Sequence, residues 1–386
     1  MNNNHITAQQ QLALLIEFGK QLASETNLDK LLTMIAKQIC KIVGAKHCFI
    51  FIKDEKHGEI WSKIARGKGL KYAEVHLPLE GDSIVAVVAK TGNTVNMTDA
   101  HKDRRFSKGL DLITGFKTGS LLAVPLFDKE GNIIGVFQIT NKEDGAPFDK
   151  NDEGLLKLLA NLAGGYIEIA ALYDDLKLSN METIYRLAIT AEFRDQNDTK
   201  IHLRNISSTC YVIAKALGLG EKEAEIIKNA SILHDIGKVA IPDNILLKPS
   251  ALTDEEYQIM KAHTFYGGKI LQGAKSKILQ AAHKMSLYHH EKYNGTGYPA
   301  GLKGDAIPIE ARILSVADVF DALCMRRVYK KAWKISEAYK YMSERAGLDF
   351  DPEVINAFKA AFNNIKQQYM GKNCLRDYNN TNGKEF

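Results

Sequence analysis

Hydrophobic residues in the first part of the chain follow a helical period. From Gln9 to about Ile42, apolar positions recur at steps of three and four residues, as in an amphipathic helix. The pattern then changes to short runs rich in apolar and β-branched residues, separated by glycine and charged turn residues. These runs lie at 47–52, 59–64, 94–96, 120–126 and 132–140. They predict an antiparallel sheet with flanking helices, an α+β domain over roughly residues 10–165.

The remainder of the chain returns to the helical period. Apolar residues at 155, 158, 162, 169, 172 and 176 predict one long helix from Asp152 to about Arg194, which leaves the first domain and continues into the second. Its apolar seam is long enough to pair with a copy of itself, so we expect a homodimer; a helix packed only on its own domain fits the same pattern. Further helices are predicted at 200–218, 221–236, 253–272, 275–290, 308–325, 334–346 and 351–369.

These patterns predict a multidomain chain. Residues 1–165 form an α+β domain that includes the N-terminal helix, 166–195 a connecting helix, and 196–370 an all-α domain. Residues 371–386 form a polar tail without periodicity, which we expect to be loosely ordered.

Composition and charge mainly exclude functions. Of 386 residues, 45% are apolar and 25% charged, as in globular proteins, and the net charge of +5 is too small to indicate binding of a nucleic acid polymer. Five cysteines without a CxxC pair favour a reducing compartment. The N-terminus does not read as a secretory signal, and charged or amide residues at 157, 161 and 168 interrupt the most apolar stretch. We therefore expect a soluble, cytoplasmic protein without a membrane span.

The second domain contains side chains that commonly bind metals. Asp198 and His202 are four residues apart and share a helix face, and His234 and Asp235 are adjacent. Further along the chain come His263, His289, His290 and Asp318. Imidazoles and carboxylates without thiolates suit Fe, Mn, Ni, Co or Zn. Five histidines and three carboxylates exceed the ligands of one ion, so a cluster of two or three metals is implied, which would activate water for attack on a phosphoryl group.

Four motifs in this domain resemble the HD-GYP family, the bacterial HD phosphohydrolases that degrade cyclic di-GMP. They are HDIGK (234–238), HHEKYNGTGYP (289–299), IPIEARILSVADVFDAL (307–323) and RRVYKKA (326–332), within a resemblance from about Thr183 to Phe362. The resemblance implies two or three divalent metal ions, with iron or manganese expected. It places the metal ligands at His202, His234, Asp235, His263, His289, His290 and Asp318. Asp235 is then the bridge between ions. Asp198 favours a third ion, and its alternative is a solvated charge or a helix N-cap.

The same resemblance implies the substrate contacts. Lys238 stabilises charge at the scissile phosphate and, with Asp235, is the expected catalytic residue. Arg327 and Lys330 bind the phosphates, although Val328 stands where the family usually has proline. The Gly297, Tyr298 and Pro299 triplet shapes a loop next to the ligand. The alternatives are a simple tight turn for this loop and a solvated basic face for Arg327 and Lys330.

The first domain contains a second motif. Asn141, Lys142, Phe148, Asp152 and Glu153 have the spacing of the NKFDE motif of GAF domains that bind cyclic nucleotides, and the order of strands and helices resembles a GAF fold. We expect Lys142 at the end of a strand to pair with Asp152 at the start of the long helix; the alternative is a surface salt bridge of about 0–1 kcal/mol. The GAF ligand is left open between a cyclic nucleotide, another small molecule and none.

Together the two resemblances imply a GAF-regulated, metal-dependent phosphodiesterase that hydrolyses cyclic di-GMP to pGpG, with GMP as a second possible product. Two alternatives stay open at this point. One is an enzyme for a related substrate such as 3'3'-cGAMP, because metal ligands do not encode base identity. The other is a non-catalytic module that binds a cyclic dinucleotide and reports it to a partner.

Overall fold

The computed structural model describes residues 8–66, 71–106, 111, 117–194, 199–325 and 332–382. They belong to two compact units, Met1–Leu178 and Ser179–Phe386. The predicted positions Asp198, Arg327 and Lys330 lie outside the described residues.

The first unit consists of a six-stranded antiparallel sheet and its helices. Its elements are α1 (Ala8–Ser24), α2 (Leu28–Val43), β1 (Ala45–Asp54), β2 (Glu59–Arg66), β3 (Lys71–Pro78), α3 (Ile84–Thr91), β4 (Val95–Met97), β5 (Leu121–Phe127) and β6 (Ile133–Lys142). The strand order is β3-β2-β1-β6-β5-β4. This architecture confirms the predicted α+β class.

Helices cover both faces of the sheet, because the central strands carry apolar side chains on both faces. Leu122 and Val124 of β5 pack with α1, α2 and the helix that follows β6, whereas Leu121 and Ala123 pack with α3. The sequence does not predict β3 or α3. The single N-terminal helical pattern is divided into α1 and α2, since the Asn27 side chain caps α2 by accepting a hydrogen bond from the Lys30 amide.

One long helix, α4 (Lys150–Glu192), contains the boundary between the two units. It is long and apolar enough to cross a membrane by length and composition alone. Leu156, Leu159, Ala163 and Ile167 of this helix are buried in the core of the first unit, and they account for part of this apolarity.

The second unit is helical in its named elements within the described ranges. After the end of α4 these are α5 (Thr199–Ala216), α6 (Glu221–Ser231), a 3-10 helix (Ile236–Ala240), α7 (Asp243–Leu246), α8 (Asp254–Leu271), α9 (Lys277–Tyr288), a 3-10 helix (Gly304–Ala306), α10 (Ile309–Cys324), α11 (Ile335–Glu344) and α12 (Pro352–Asn382). Helix α6 ends before its predicted end at residue 236. Helix α12 continues to Asn382, where the sequence pattern predicts a loosely ordered tail.

Candidate metal centre

The first of two ligand groups in the second unit joins the end of α4, the helix α5 and the segment after α6. Glu192, His202 and His234 each offer one atom, and these three atoms all lie within 4.8 Å of one another. Glu192 Oε2 is 4.0 Å from His202 Nε2. All three residues are buried, with no more than 3% of their surface exposed. The group therefore presents two imidazoles and one carboxylate to a common point.

The second group joins α8 to the end of α9. His263, His289 and His290 also offer one atom each within a 4.8 Å cluster. His263 and His289 are buried, and His290 is half-buried. Three imidazoles can hold a dication by themselves, and a neighbouring anion would offset part of the charge of that ion.

Asp235 supplies that anion and lies between the two groups. Its Oδ2 is 3.3 Å from His234 Nε2 in the first group. Its Oδ1 is 3.4 Å from His263 Nε2 and 3.6 Å from His289 Nε2 in the second group. One carboxylate thus faces both groups with a different oxygen, which is the arrangement that a bridging ligand requires.

Hydrogen bonds on the far side of the rings fix how the histidines present their inner nitrogens. The Nδ1 atoms of three rings donate to backbone carbonyls: His234 to Ser231 at 2.9 Å, His263 to Met260 at 2.7 Å, and His289 to Met285 at 3.0 Å. Because a carbonyl oxygen can only accept, each Nδ1 carries a proton, so the lone pair is on Nε2 whenever such a ring is neutral. This is the usual orientation of metal-binding histidines.

A metal ion fits these residues because their inner atoms otherwise stay unpaired. Six buried atoms at this site have no hydrogen-bond partner in the described part of the chain: Glu192 Oε2, His202 Nε2, His234 Nε2, Asp235 Oδ1, His263 Nε2 and His289 Nε2. A buried polar atom without a partner costs about 1–3 kcal/mol. So many in one cluster are explained by divalent cations, which would give each atom a partner.

Asp235 carries a negative charge among these buried groups. Burial alone would raise the pKa of Asp235, but the Lys238 ammonium and His234 hold that pKa well below its usual range. Burial opposes charge on His234 too, yet the adjacent Asp235 raises its pKa to about 10. Burial lowers the pKa of His263 to about 4 and raises that of Glu192. Burial also holds the pKa of His290 well below its usual range, so His263 and His290 are neutral at neutral pH, as metal ligation requires.

A buried carboxylate on α10 holds His202 in place. Asp321 is fully buried and accepts three hydrogen bonds: from His202 Nδ1 at 2.7 Å, from Asn205 Nδ2 at 2.7 Å and from the Tyr369 hydroxyl at 2.8 Å. The hydrogen bond and charge of Asp321 outweigh burial and raise the pKa of His202. Asp321 thus links the first ligand group to α5 and α12.

Close backbone packing sets the distance between Asp235 and His263. A Cβ on Gly237 would lie 1.9 Å from the His263 carbonyl oxygen and 2.4 Å from the Gly267 amide nitrogen. A Cβ on Gly267 would in turn lie 1.9 Å from Ser286 Oγ. The 3-10 helix Ile236–Ala240 therefore approaches α8 at a distance that only glycine permits.

Lys238 contacts Asp235 directly, and Arg194 contacts the backbone that carries Lys238. Lys238 Nζ is 2.8 Å from Asp235 Oδ2. The Arg194 guanidinium donates to the carbonyls of Lys238 at 3.1 Å and Val239 at 3.3 Å, and it pairs with Asp243. Arg194 thereby fixes the backbone that carries Lys238.

The Gly297-Tyr298-Pro299 loop lies against the second ligand group. The Tyr298 ring stacks on the His290 ring with centroids 4.8 Å apart. The buried Glu291 carboxylate accepts hydrogen bonds from the amides of Ala300 at 2.7 Å and Leu302 at 3.0 Å, which closes the loop. A Cβ on Gly297 would lie 2.3 Å from the Lys292 amide nitrogen, so this position requires glycine.

Family comparisons agree with this division of the chain. Residues 27–167 match the GAF domain family, and residues 182–354 match the HD domain family. This chain carries a GAF domain followed by an HD domain. The ligand groups described above belong to the HD domain, with Asp235 beside His234 as its namesake pair.

The chain has curated relatives. Over 189 residues it is 44% identical to the "cyclic di-GMP phosphodiesterase response regulator RpfG" of Xanthomonas campestris pv. campestris, covering 49% of this chain and 50% of the relative. Over 204 residues it is 41% identical to the "3'3'-cGAMP-specific phosphodiesterase 2" of Vibrio cholerae serotype O1, covering 53% of this chain and 39% of the relative. The chain therefore spans half or less of the length of these relatives.

The GAF domain has similar solved structures. The GAF domain from an Acinetobacter phosphoenolpyruvate-protein phosphotransferase is 22% identical, with a TM-score of 0.36, and the match covers 43% of this chain and 97% of that chain.

The polar residues of the GAF motif are paired with one another or with the backbone. Lys142 Nζ lies 3.0 Å from Asp152 Oδ2, so the ion pair expected between β6 and α4 is present. Glu153 pairs with Lys150 at 3.1 Å and Lys157 at 2.8 Å. These contacts tie the start of α4 to the sheet and to itself.

The other two motif residues are structural as well. Asn141 has a positive φ of 55°, and its side chain accepts from the Gly119 amide at 2.7 Å and donates to the Lys117 carbonyl at 2.9 Å. Phe148 is buried, and its carbonyl accepts from Asn96 Nδ2 at 3.2 Å.

One predicted ligand lies outside the two groups, and two residues of the centre were not predicted. Asp318 on α10 is not a member of either ligand group, although its charge contributes to the raised pKa values of His202 and His234. The sequence analysis missed Glu192 and Asp321. Glu192 is the last residue of α4 and His202 lies on α5, so no helical spacing links the two. Asp321 comes one turn after Asp318 in the same helix, and this spacing could have revealed it.

Proposed function

We propose that this chain is a metal-dependent phosphodiesterase that hydrolyses cyclic di-GMP to pGpG, with further cleavage to GMP as a second product. The observation that carries the proposal is the position of Asp235, which faces histidines of two ligand groups while its Oδ2 lies 2.8 Å from the Lys238 ammonium. Phosphodiester hydrolysis is favoured by two neighbouring metal ions with a cationic hydrogen-bond donor beside them. The names of the two curated relatives also support a cyclic dinucleotide substrate.

The proposed ligands follow the two groups. Glu192, His202 and His234 would hold one divalent ion, and His263, His289 and His290 the other, with Asp235 shared. Asp318 and Asp198 are proposed as further ligands, Asp198 for a third ion. Divalent cations, when bound, lower the pKa of water to near neutrality and neutralise phosphoryl charge. We propose iron or manganese, because imidazole and carboxylate ligands suit these ions.

The chain's own residues then have defined tasks in the reaction. Water adds to phosphorus, the bond from phosphorus to the 3' oxygen breaks, and the proton from water ends on that 3' oxygen. Lys238 donates to a phosphoryl oxygen as negative charge develops there. Arg327 and Lys330 bind the phosphates, and the loop of Gly297, Tyr298 and Pro299 shapes the wall beside them.

A second substrate is supported by a specific observation. One of the relatives is named as specific for 3'3'-cGAMP, and it shares 41% of aligned residues with this chain. Hydrolysis of that mixed dinucleotide would use the same metal centre. A non-catalytic binding module is the alternative from another class; the intact ligand groups count against it.

The test of the proposal is anaerobic purification, metal quantification and chromatography of the products from cyclic di-GMP and 3'3'-cGAMP. We expect metal-dependent formation of pGpG and its loss in His234→Ala. Turnover of 3'3'-cGAMP alone would replace the proposed substrate. A protein that binds metal but cleaves neither dinucleotide nor a generic phosphodiester would refute the enzyme assignment.

We propose that the GAF domain regulates this activity by binding a cyclic nucleotide or another small ligand. An open cleft beside Asn141, lined also by Asp99, His101, Lys117 and Thr118, is a candidate position. The Lys142–Asp152 ion pair would couple the sheet to α4, whose rotation or change of register would alter access to the metals. Turnover unchanged by every cyclic nucleotide that binds would refute this regulation.

We also propose a homodimer formed through α4. Leu158, Leu162, Ile169, Leu172 and Leu176 are each at least 40% exposed, although they follow a helical apolar stripe. A second copy of the same stripe would cover them. Sedimentation of the wild type as a dimer and of Leu172→Glu as a monomer is expected; a monomeric wild type would refute the proposal.

We propose a cytoplasmic location on the basis of the cysteines. Cys40, Cys48, Cys210 and Cys324 are free thiols among the described side chains. Free thiols are typical of a reducing compartment.

A further inference from the structure

Beside the second ligand group, an ammonium is held between two aromatic rings. Lys261 Nζ lies 4.7 Å from the centroid of the Tyr257 ring and 5.2 Å from the centroid of the Tyr298 ring. Tyr257 and Lys261 are one turn apart on α8, whereas Tyr298 comes from the loop after α9. Two separate segments therefore form one surface, which consists of the Tyr257 and Tyr298 rings and the Lys261 ammonium. We call this surface the aromatic wall.

This wall begins at the metal centre. The Tyr298 ring is stacked on His290, with an angle of 25° between the planes. Lys261 precedes the ligand His263 by two residues on the same helix. A substrate whose phosphate reaches the metal ligands would therefore place its neighbouring groups beside Tyr298 and Lys261.

The wall is open to a ligand. Tyr257 is 45% exposed, although large aromatic side chains contribute most to stability when covered. Lys261 is half-buried, and within the described ranges its recorded contacts are the two rings, with no carboxylate pairing with it. Attraction to a ring face leaves the hydrogen-bond donors of an ammonium available. The wall thus offers ring surface and donors together.

We propose that Tyr257, Lys261 and Tyr298 form a guanine-binding subsite. This inference rests on the proposed cyclic dinucleotide substrate and adds the residues that read its base. Guanine presents two acceptors, O6 and N7, on one edge, and lysine is a common donor to that pair. Adenine presents its N6 amino donor in place of O6, which repels an ammonium. The purine face stacks on the exposed Tyr257 ring, because the Tyr298 ring already contacts His290 and Lys261.

A base fits this position better than a phosphate. The phosphate is expected at the ligand groups, where Lys238 already supplies a donor 2.8 Å from Asp235. The charge of Lys261 is partly stabilised by two ring faces, and an exposed tyrosine contributes stacking surface that a phosphate cannot use.

The experiment measures inhibition of bis(p-nitrophenyl) phosphate hydrolysis by GMP and by AMP, together with the KM for cyclic di-GMP. For the metal-loaded wild type we expect tighter inhibition by GMP. Lys261→Met should raise the GMP inhibition constant about tenfold and change the AMP constant little. Tyr257→Ala should raise both constants and the KM by about tenfold. Melting temperature and metal content verify that each variant is folded and loaded.

Matched controls lie on the same helix. Lys269→Met removes an ammonium from the last turn of α8, and Tyr266→Ala removes an exposed ring from another face of it; both should leave the two inhibition constants unchanged. An equal loss of GMP and AMP binding in Lys261→Met would assign Lys261 to the phosphate and overturn the proposal. Unchanged constants in both Lys261→Met and Tyr257→Ala would also overturn it.

The two proposals fail in different ways. A wild type that cleaves bis(p-nitrophenyl) phosphate but no cyclic dinucleotide would refute the proposed substrate. The ratio of the GMP and AMP inhibition constants would still show whether the guanine-binding subsite exists. If no diester is cleaved, calorimetric binding of GMP to the wild type and to Lys261→Met decides it: equal affinities overturn the subsite.

Discussion

The HD domain and the GAF domain both gather polar side chains at one place, but among the described residues the HD ligand groups have buried atoms without partners, whereas the GAF motif side chains are paired. In the GAF motif, Lys142 pairs with Asp152, and Asn141 bonds the backbone of the neighbouring segment. In the HD domain, the inner nitrogens of His202, His234, His263 and His289 lack a partner among the described residues. Paired groups stabilise a fold, whereas buried unpaired groups of this kind indicate a ligand that completes them.

The largest expected effect comes from the shared carboxylate. Asp235→Asn keeps the size of the side chain and removes its charge, so both ligand groups lose their common anion. Activity on cyclic di-GMP should fall about 1000-fold or more, and the metal content should fall with it. Asp152→Asn in the GAF motif is the matched control and should retain its metals. Equal metal content in the two variants would remove the distinction between the domains.

The next effect concerns the orientation of His202. Asp321→Asn replaces the acceptor of the His202 Nδ1 proton, and Tyr369→Phe removes one donor to the same carboxylate. Metal affinity should fall about 10- to 100-fold for Asp321→Asn, with a smaller loss for Tyr369→Phe. Chelator competition measures both. A variant that melts earlier yet keeps full metal affinity would reduce Asp321 to a structural role.

A backbone substitution tests the packing that positions Asp235. Gly237→Ala forces a methyl group against the His263 carbonyl and should cost about 1–3 kcal/mol of unfolding free energy. Gly154→Ala in α4 is its control, since a Cβ there meets nothing within 4 Å, and it should be neutral or stabilising by up to about 1 kcal/mol. Denaturant melts measure both. Comparable stability of the two variants would contradict the close approach.

The smallest effect is expected in the GAF motif. Lys142→Met removes one partner of an ion pair whose side chains are 18% and 13% exposed, and it should cost about 1 kcal/mol or less. Basal turnover should stay at the wild-type level, while any response to a GAF ligand should weaken. A loss of basal turnover as large as that of Asp235→Asn would mean that the paired motif is as important to catalysis as the unpaired cluster.

Much of the fold could be predicted from local patterns, and the missed elements have physical reasons. The run Ile84–Thr91 is mostly apolar and rich in β-branched residues, so its hydrophobic pattern does not distinguish a helix from a strand. The structure shows a helix that is capped by Ser83 and ends at Gly92. Strand β3 is at the edge of the sheet, where charged residues are tolerated and the alternation is weak.

The metal centre was predictable where the ligands stand in motifs. His234, Asp235, His263, His289 and His290 come together in the structure as the sequence implies. Glu192 could not be found by helical spacing, because a tertiary approach brings the end of α4 to α5. Tertiary packing determines which helices come together, and the local hydrophobic pattern of the sequence does not reveal it.

The central claim is that two ligand groups sharing Asp235 hold divalent cations. The most direct test is the ratio of metal to protein in anaerobically purified wild type, measured beside Asp235→Asn after loading with iron or manganese. We predict at least two ions per wild-type chain and a clear loss in the variant. A wild type that retains no more than one ion under either loading would contradict the claim.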